Sequence, residues 1–310
     1  MTHRINPDRI RGIWPVLLLP WDAQWRLDAR SFDANLDRLI GSDPDGLYAL
    51  DTSSEFYTLE FAEWRTIARR FVKRCRAAGV KFPIGLGCTW TNQDGALRRV
   101  HEARDLGVEV IHLSPPYWLP LPREGLIRFY SAVAACAGQL GVIIYAPNWG
   151  RIGLTSELYR DLVEAAPCIV GTKSESGSGL LGLRIGETLH SHFVHEQKLC
   201  MAARAGASGN YSSLAGVSVR YLREWWAMME AGRWSEAEAR NERVQRFYAE
   251  AVQPIRDRGI MGGAIDKAMA QLGGAAGSRQ LRPPYLSVPD DLFAALADAA
   301  RRHFPEAFPV

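Results

Sequence analysis

The sequence predicts an α/β fold, a (β/α)8 TIM barrel with a C-terminal helical extension. Three observations carry that expectation. Short apolar runs recur along the first two thirds of the chain, most of them continuous, as parallel strands buried on both faces require. Amphipathic segments at helical spacing lie between most of these runs. Eight strand–helix units over about 220 residues is the period of such a barrel. A doubly wound open sheet is the competing arrangement. Its dinucleotide fingerprint, G-x-G-x-x-G, is missing from the first strand–helix turn, and no G-x-x-x-x-G-K-[ST] loop occurs anywhere.

The strands expected are Ile13–Trp21, Gly46–Asp51, Phe82–Cys88, Val108–Ser114, Val142–Pro147, Cys168–Lys173, Phe193–His195 and, with the weakest pattern, Gly206–Ser212. Helices follow from the faces between them. Phe32, Leu36, Leu39 and Ile40 share one face, and Phe61, Trp64, Ile67, Phe71, Val72 and Cys75 share another. Ala96, Leu97, Val100 and Ala103 mark a third. After Ser218 the strand pattern stops. Val219–Gly232, Ser235–Asp257, Gly263–Leu272 and Pro289–Arg302 read as helices, the last with Pro and Asp in its first turn, where a helix favours them. The chain therefore divides into a barrel over residues 1–218 and a helical region over 219–310, an appendage that closes a helical layer or builds an oligomer contact.

Composition narrows the partners. The 310 residues are 47% hydrophobic and 23% charged, a globular balance that excludes disorder. With 37 basic against 34 acidic residues the net charge is only +3, which gives no basis for nucleic-acid binding. No stretch approaches the ~20 apolar residues that span a bilayer, so no membrane partner is expected. Met1–Arg11 is polar and lacks the apolar core of a secretory signal. The five cysteines are widely spaced with no C-x-x-C, and read as buried thiols. A soluble, cytoplasmic protein is expected.

The basic residues are unevenly divided. Of the 37, five are lysine (Lys73, Lys81, Lys173, Lys198 and Lys267), which leaves 32 arginines. Four of the lysines fall on polar helix faces or turns. Lys173 instead ends an apolar strand, Cys168-Ile169-Val170-Gly171-Thr172-Lys173, and barrel active sites lie at the carboxyl ends of strands. Desolvation there is expected to lower the amine's pKa towards the range where it attacks a carbonyl, chemistry closed to arginine. The alternative is a structural lysine salt-bridged to Glu175 or Glu196. Strand two ends in Asp51-Thr52-Ser53-Ser54-Glu55, hydroxyls and amides suited to a small carboxylate, or else a helix cap through Thr58 and Glu60. Strand five ends in Tyr145, placed to relay a proton at the barrel mouth or to pack as core.

These motifs resemble the dihydrodipicolinate synthase and N-acetylneuraminate lyase family of Schiff-base-forming class I aldolases and dehydratases, from about Gly12 to Arg302. Gly46 to Glu55 is similar to its G-[apolar]-G-T-T-G-E strand, Ile144-Tyr145 to its apolar-Tyr strand end, and Gly171-Thr172-Lys173 to its G-x-K strand. Gly206-Ala207-Ser208-Gly209, Asp266-Lys267-Ala268 and Leu281-Arg282-Pro283-Pro284 resemble its later landmarks. The resemblance implies that Lys173 forms a Schiff base with pyruvate or another 2-keto acid, with no further cofactor and no metal. It implies Tyr145 as proton shuttle, Thr52 in the relay with Ser53 beside it on the carboxylate, and Tyr117 lent to a neighbouring subunit of a homo-oligomer, tetramer or dimer. That last match can slip by one residue onto Trp118.

Departures from the best-known member bear on the substrate. Ala146 replaces the asparagine that follows the tyrosine in dihydrodipicolinate synthases, and Arg151 falls one position late for their carboxylate-binding arginine. Asp51 and Ser54 replace family glycines. These changes point away from a lysine-biosynthetic role. Trp90, Trp118 and Trp149 follow strands three to five, and Tyr211 and His195 end strands eight and seven, which together suggest a larger acceptor pocket. The expected function is a class I lyase, with a hydratase-aldolase of aromatic catabolism or a keto-deoxy sugar acid dehydratase as alternatives. An inactive binding or regulatory barrel is the rival of another class. A metal-dependent aldolase finds no ligand-spaced histidines: His190-Ser191-His192 precedes its strand.

Overall fold

The computed structural model describes residues 5–147, 153–174 and 178–308. Pro15 breaks the first apolar run into β1 (Gly12–Trp14) and β2 (Val16–Leu17), because proline has no N–H to give to a ladder. The next strands are β3 (Leu47–Ala49), β4 (Ile84–Gly87), β5 (Val110–Leu113), β6 (Gly141–Ala146) and β7 (Ile169–Ser174). A short antiparallel hairpin, β8 (Arg184–Ile185) and β9 (Thr188–Leu189), precedes β10 (Ser191–Val194) and β11 (Gly209–Tyr211). In the main sheet the order is β1-β11-β10-β7-β6-β5-β4-β3-β2. Since β1 and β2 are two pieces of one strand, the ends of that order meet and the sheet closes as an eight-stranded parallel barrel. All eight expected strands are present, with ends that differ from the expected ones by a few residues in either direction. The hairpin was not foreseen, since two-residue strands are too short to show a period.

Helices α1 (Ala29–Gly41), α2 (Phe61–Ala77), α3 (Gln93–Leu106), α4 (Arg123–Ala137), α5 (Ser156–Ala165) and α6 (Leu199–Arg204) lie between the strands. Asp28, Asn92 and Thr155 start α1, α3 and α5 by accepting backbone N–H groups. The buried faces are those the spacing predicts, with Trp64, Ile67, Phe71 and Val72 inward on α2. After β11 come α7 (Val219–Glu230), α8 (Trp234–Phe247), α9 (Gln253–Asp257), α10 (Gly262–Leu272) and α11 (Asp290–His303). The single helix expected over Ser235–Asp257 is interrupted by a π-helical turn at Tyr248–Val252. Pro254 explains it: without an N–H it cannot bond the carbonyl four residues back, and the turn ahead of it widens.

Two cores result. One lies between barrel and helices. The other fills the barrel with Trp14, Tyr48, Val110, Ile143, Phe193 and Tyr211. Phe193 stacks on Tyr211 at 4.3 Å between ring centres, and Tyr48 stacks on the same ring at 4.8 Å. Among the described residues no helix is long and apolar enough to cross a membrane. All five cysteines are buried and free.

Candidate active site

Neighbouring strands β6 and β7 bring Tyr145 and Lys173 side by side in register. The glycine of Gly171-Thr172-Lys173 is required by a close approach: a Cβ there would sit 2.1 Å from the Ser191 carbonyl oxygen of β10. Alternation along the strand then turns Thr172 outward, where its Oγ1 lies 2.8 Å from His192 Nδ1, and Lys173 inward. Lys173 Nζ lies 4.7 Å from the centre of the Tyr145 ring and 5.7 Å from that of Tyr211. It is half-buried at the floor of a cavity of about 480 Å³, whose walls include Thr52, Ser53, Tyr145, Tyr211 and His195.

The charge state of Lys173 corrects the sequence expectation. Burial does push the amine down, but Tyr145, Tyr48, Asp51 and Asp266 together outweigh it, and the ammonium is held above its ordinary value. Desolvation alone was the expected influence. The acidic groups gathered around the amine reverse its sign.

The hydroxyl-rich end of strand two is shaped by strain and close contact. Leu50 adopts φ 64°, uncommon for a residue with a side chain, and Gly87 makes room for it: a Cβ there would lie 2.2 Å from the Leu50 carbonyl oxygen. Asp51 caps the short turn Thr52–Ser54, accepting the Thr52 N–H at 2.9 Å. Thr52 Oγ1 is buried in the cavity wall with no hydrogen-bond partner among the described residues. The Ser53 hydroxyl donates to Asp266 on α10, so it is already engaged, where the resemblance had left it free for a substrate carboxylate. The turn is no helix cap either. Glu60 makes no capping bond, Thr58 donates to the Glu55 carbonyl, and buried Glu55 accepts from Trp21 Nε1 at 2.9 Å.

The remaining residues divide. His195 borders the cavity, its Nε2 3.3 Å from Glu196 Oε2 and its Nδ1 accepting the Gln197 N–H. Tyr211 borders it too, with its hydroxyl 2.8 Å from His112 Nε2. Tyr117 packs edge-on against Phe56 and stands outside the cavity of its own chain. Trp118 is 79% exposed and is not brought to the cavity, and Trp90 instead covers the buried Arg99 guanidinium at 3.8 Å. Arg151, Trp149 and Glu175 lie outside the described residues. Glu196, the other partner considered for Lys173, is engaged by the Tyr248 hydroxyl and the Leu214 N–H. Lys267 was expected on a polar face and is buried, with Nζ 2.5 Å from Glu55 Oε1. Among the described residues no three His, Cys, Asp or Glu side chains converge as a metal site.

Among the cavity residues the sequence reading did not single out, three ionisable ones stand near the reacting pair's turn and strands. Tyr48 lies inside strand two, Asp266 on α10, and Tyr248 in the π-turn. A carboxylate beside Lys267 in an otherwise apolar helix was the one available signal, since a buried acid needs donors; here they are Ser53 and Ser213.

Comparison with known proteins agrees with this fold. The model of the dihydrodipicolinate synthetase family matches residues 9–302. The 4-hydroxy-tetrahydrodipicolinate synthase of Agrobacterium fabrum is 28% identical over 302 residues, covering 94% of this chain and 98% of that protein. Among solved structures, YagE of E. coli K12 in complex with pyruvate superposes with a TM-score of 0.82 at 21% identity, covering 94% of this chain and 98% of that one. Ruminococcus gnavus sialic acid aldolase gives 0.83 at 16% identity, covering 97% and 100%. This chain belongs to the dihydrodipicolinate synthetase family, lyases of the class I aldolase superfamily.

Proposed function

We propose that the protein is a Schiff-base-dependent lyase that acts on pyruvate or a larger 2-keto acid through Lys173. One observation carries this reading: the lysine and Tyr145 face each other in register on the floor of a cavity whose wall holds the unpartnered Thr52 hydroxyl. The ammonium must first give up a proton, and Tyr145 stands beside it to relay it, the phenol taking that proton up as it hands its own to water in the cavity. The amine then condenses with the keto carbon, expelling water. The resulting iminium withdraws electrons from the adjacent carbon, so that a C–C or C–O bond there can break or form without a further cofactor. The Thr52 hydroxyl holds the substrate carboxylate.

The acceptor end of the cavity is polar, with His195, Ser213, Tyr248 and Arg256 in its walls. That favours a hydroxylated acceptor, as in a keto-deoxy sugar acid, over an aryl group. Ala146, in place of the expected asparagine, supports a role other than lysine biosynthesis. Free cysteines fit the cytoplasm, and Tyr117, outside its own cavity, fits a homo-oligomer in which it reaches a neighbour's.

Borohydride reduction with pyruvate, followed by peptide mass spectrometry, tests the proposal. The pyruvyl mass is expected on Lys173 and lost in Lys173→Arg. Binding without this adduct would instead support a barrel that has lost its chemistry. A panel of keto-deoxy sugar acids and aryl-pyruvate aldols, coupled to pyruvate detection, selects the substrate class.

A further inference from the structure

Beneath Lys173 the barrel interior holds a chain of polar groups that the reaction above does not use. Barrel interiors are ordinarily filled by branched aliphatic side chains. Here Asp51, 2% exposed at the end of β3, places Oδ2 3.3 Å from His112 Nδ1 on β5. His112, itself 1% exposed, places Nε2 2.8 Å from the Tyr211 hydroxyl on β11. The Tyr48 ring closes over both partners, 4.6 Å from the His112 ring and 4.8 Å from that of Tyr211. Lys173 Nζ lies over the same Tyr211 ring. Asp51 also stands where the family resemblance places a glycine.

The contacts assign the protons. Burial raises Asp51, yet His112, Lys173 and the Thr52 N–H more than offset it, and the carboxyl is held ionised below its ordinary value. Burial keeps His112 below its own, so it is neutral and carries one ring proton. Placed on Nδ1, that proton faces Asp51 Oδ2 across 3.3 Å, an electrostatic contact and not an aligned hydrogen bond. Nε2 is then the acceptor, and the Tyr211 hydroxyl donates to it. Negative charge on Asp51 is thereby relayed, as aligned dipoles, to the ring under the amine.

We propose that Asp51, with His112 and Tyr211 as its polar extension, is the buried counter-charge of the cation at Lys173, first the ammonium and then the iminium that the proposed reaction forms there. A cation in a barrel interior needs a fixed anion, because taking an unpaired charge out of water is far costlier than pairing it. The other ionisable groups around the amine do this less well. Tyr145 on β6 and Tyr48 on β3 are phenols, and Tyr48 is pushed well above its usual value by burial. Asp266 on α10 is also raised by burial. His195, Glu196 and Tyr248 bond one another across the end of β10, and Lys198 and Arg256, at the exposed rim, are themselves cations. The inference rests on the Schiff-base reading for the iminium and stands without it for the ammonium.

Asp51→Asn keeps an acceptor for the Thr52 N–H and removes the charge. The test is acetylation by acetic anhydride at about pH 8, followed lysine by lysine by mass spectrometry, together with borohydride trapping at subsaturating pyruvate. Lys173 in Asp51→Asn is expected to acetylate about tenfold faster, the effect of an acid shift of about one unit, while the trapped adduct falls about tenfold. Loss of structure alone would not raise one and lower the other with Lys267, buried against Glu55, still protected. An unchanged Lys173 rate with Lys267 protected overturns the proposal. If Lys267 becomes reactive, the variant has not folded, and Tyr211→Phe takes its place. It keeps the ring, removes the hydroxyl, and is expected to move Lys173 the same way by a smaller factor; no movement overturns the proposal. If the wild type traps no pyruvate but Asp51→Asn still speeds acetylation, the Schiff-base reading fails and the counter-charge of the ammonium stands.

Discussion

Replacing Lys267 with methionine tests the clamp that joins the Thr52–Glu55 turn to α10. The lysine is 4% exposed, and its Nζ lies 2.5 Å from Glu55 Oε1 and 2.7 Å from the Gln280 carbonyl oxygen. Glu55 is fully buried and also accepts from Trp21 Nε1 at 2.9 Å and from the Arg282 N–H at 2.8 Å. Methionine fills much the same volume but leaves the carboxylate without its cation. Removing one partner of a buried pair costs about 3–5 kcal/mol. For a chain of 310 residues that is a fall in Tm of roughly 5–8 °C, read by scanning calorimetry. Burial, together with the nearby Arg282 cation, holds Lys267 below its ordinary value despite Glu55. A second change, Glu55→Gln, should therefore recover part of the loss by removing the orphaned charge. A Lys267→Met protein within about 1 kcal/mol of wild type, against the cost expected of an orphaned buried charge, would refute the reasoning. So would a double variant less stable than the single one.

Two further outcomes follow from buried groups around the cavity. Burial raises Asp266 above its ordinary carboxylate value of 3.8 despite the Ser213 and Ser53 hydroxyls. Its contribution to stability is then complete below 3.8 and lost as pH rises through the raised value, so Asp266→Asn should gain on wild type as pH climbs from about 4 to 8. Parallel melting curves across that range would count against it. Trp90→Ala should cost about 2–4 kcal/mol, by uncovering Arg99, yet leave the pyruvate concentration for half-maximal trapping unchanged. A changed pyruvate requirement at undiminished stability would return Trp90 to the pocket.

The barrel and the neighbouring places of Tyr145 and Lys173 were legible because their signals are local. A continuous apolar run names a buried parallel strand, and its last residue faces the catalytic end whatever the helices do. Gly171-Thr172-Lys173 carries even its close approach in its composition, since only glycine tolerates Ser191 at 2.1 Å. What failed depends on partners distant in the chain. A tryptophan after a strand has no preferred direction from spacing alone, and Trp90 turned to Arg99 while Trp118 turned to solvent. Lysine count marked Lys173 but misjudged Lys267, whose burial depends on Glu55 far away in sequence. His112 sat in plain view within an apolar strand, but its role is set by Asp51 and Tyr211 on two other strands. The sign of the Lys173 shift was missed for the same reason: burial is local, whereas the four acidic groups that reverse it come from three separate segments, the ends of β3 and β6 and helix α10.

Residues 266 and 267 decide what the helical region is for. They are consecutive on α10, and both grip the same turn of the barrel: Lys267 holds Glu55, and Asp266 takes the Ser53 hydroxyl. The barrel strands supply the amine and the phenol. The helix after them determines how many hydroxyls of the turn remain free, with Thr52 open and Ser53 engaged. A substrate carboxylate approaching this turn meets Asp266 as well, and burial has already biased that group towards its neutral, proton-donating form. The C-terminal helices are thus one wall of the cavity, with Gly262, Gly263, Ile265 and Asp266 of α10 in its lining.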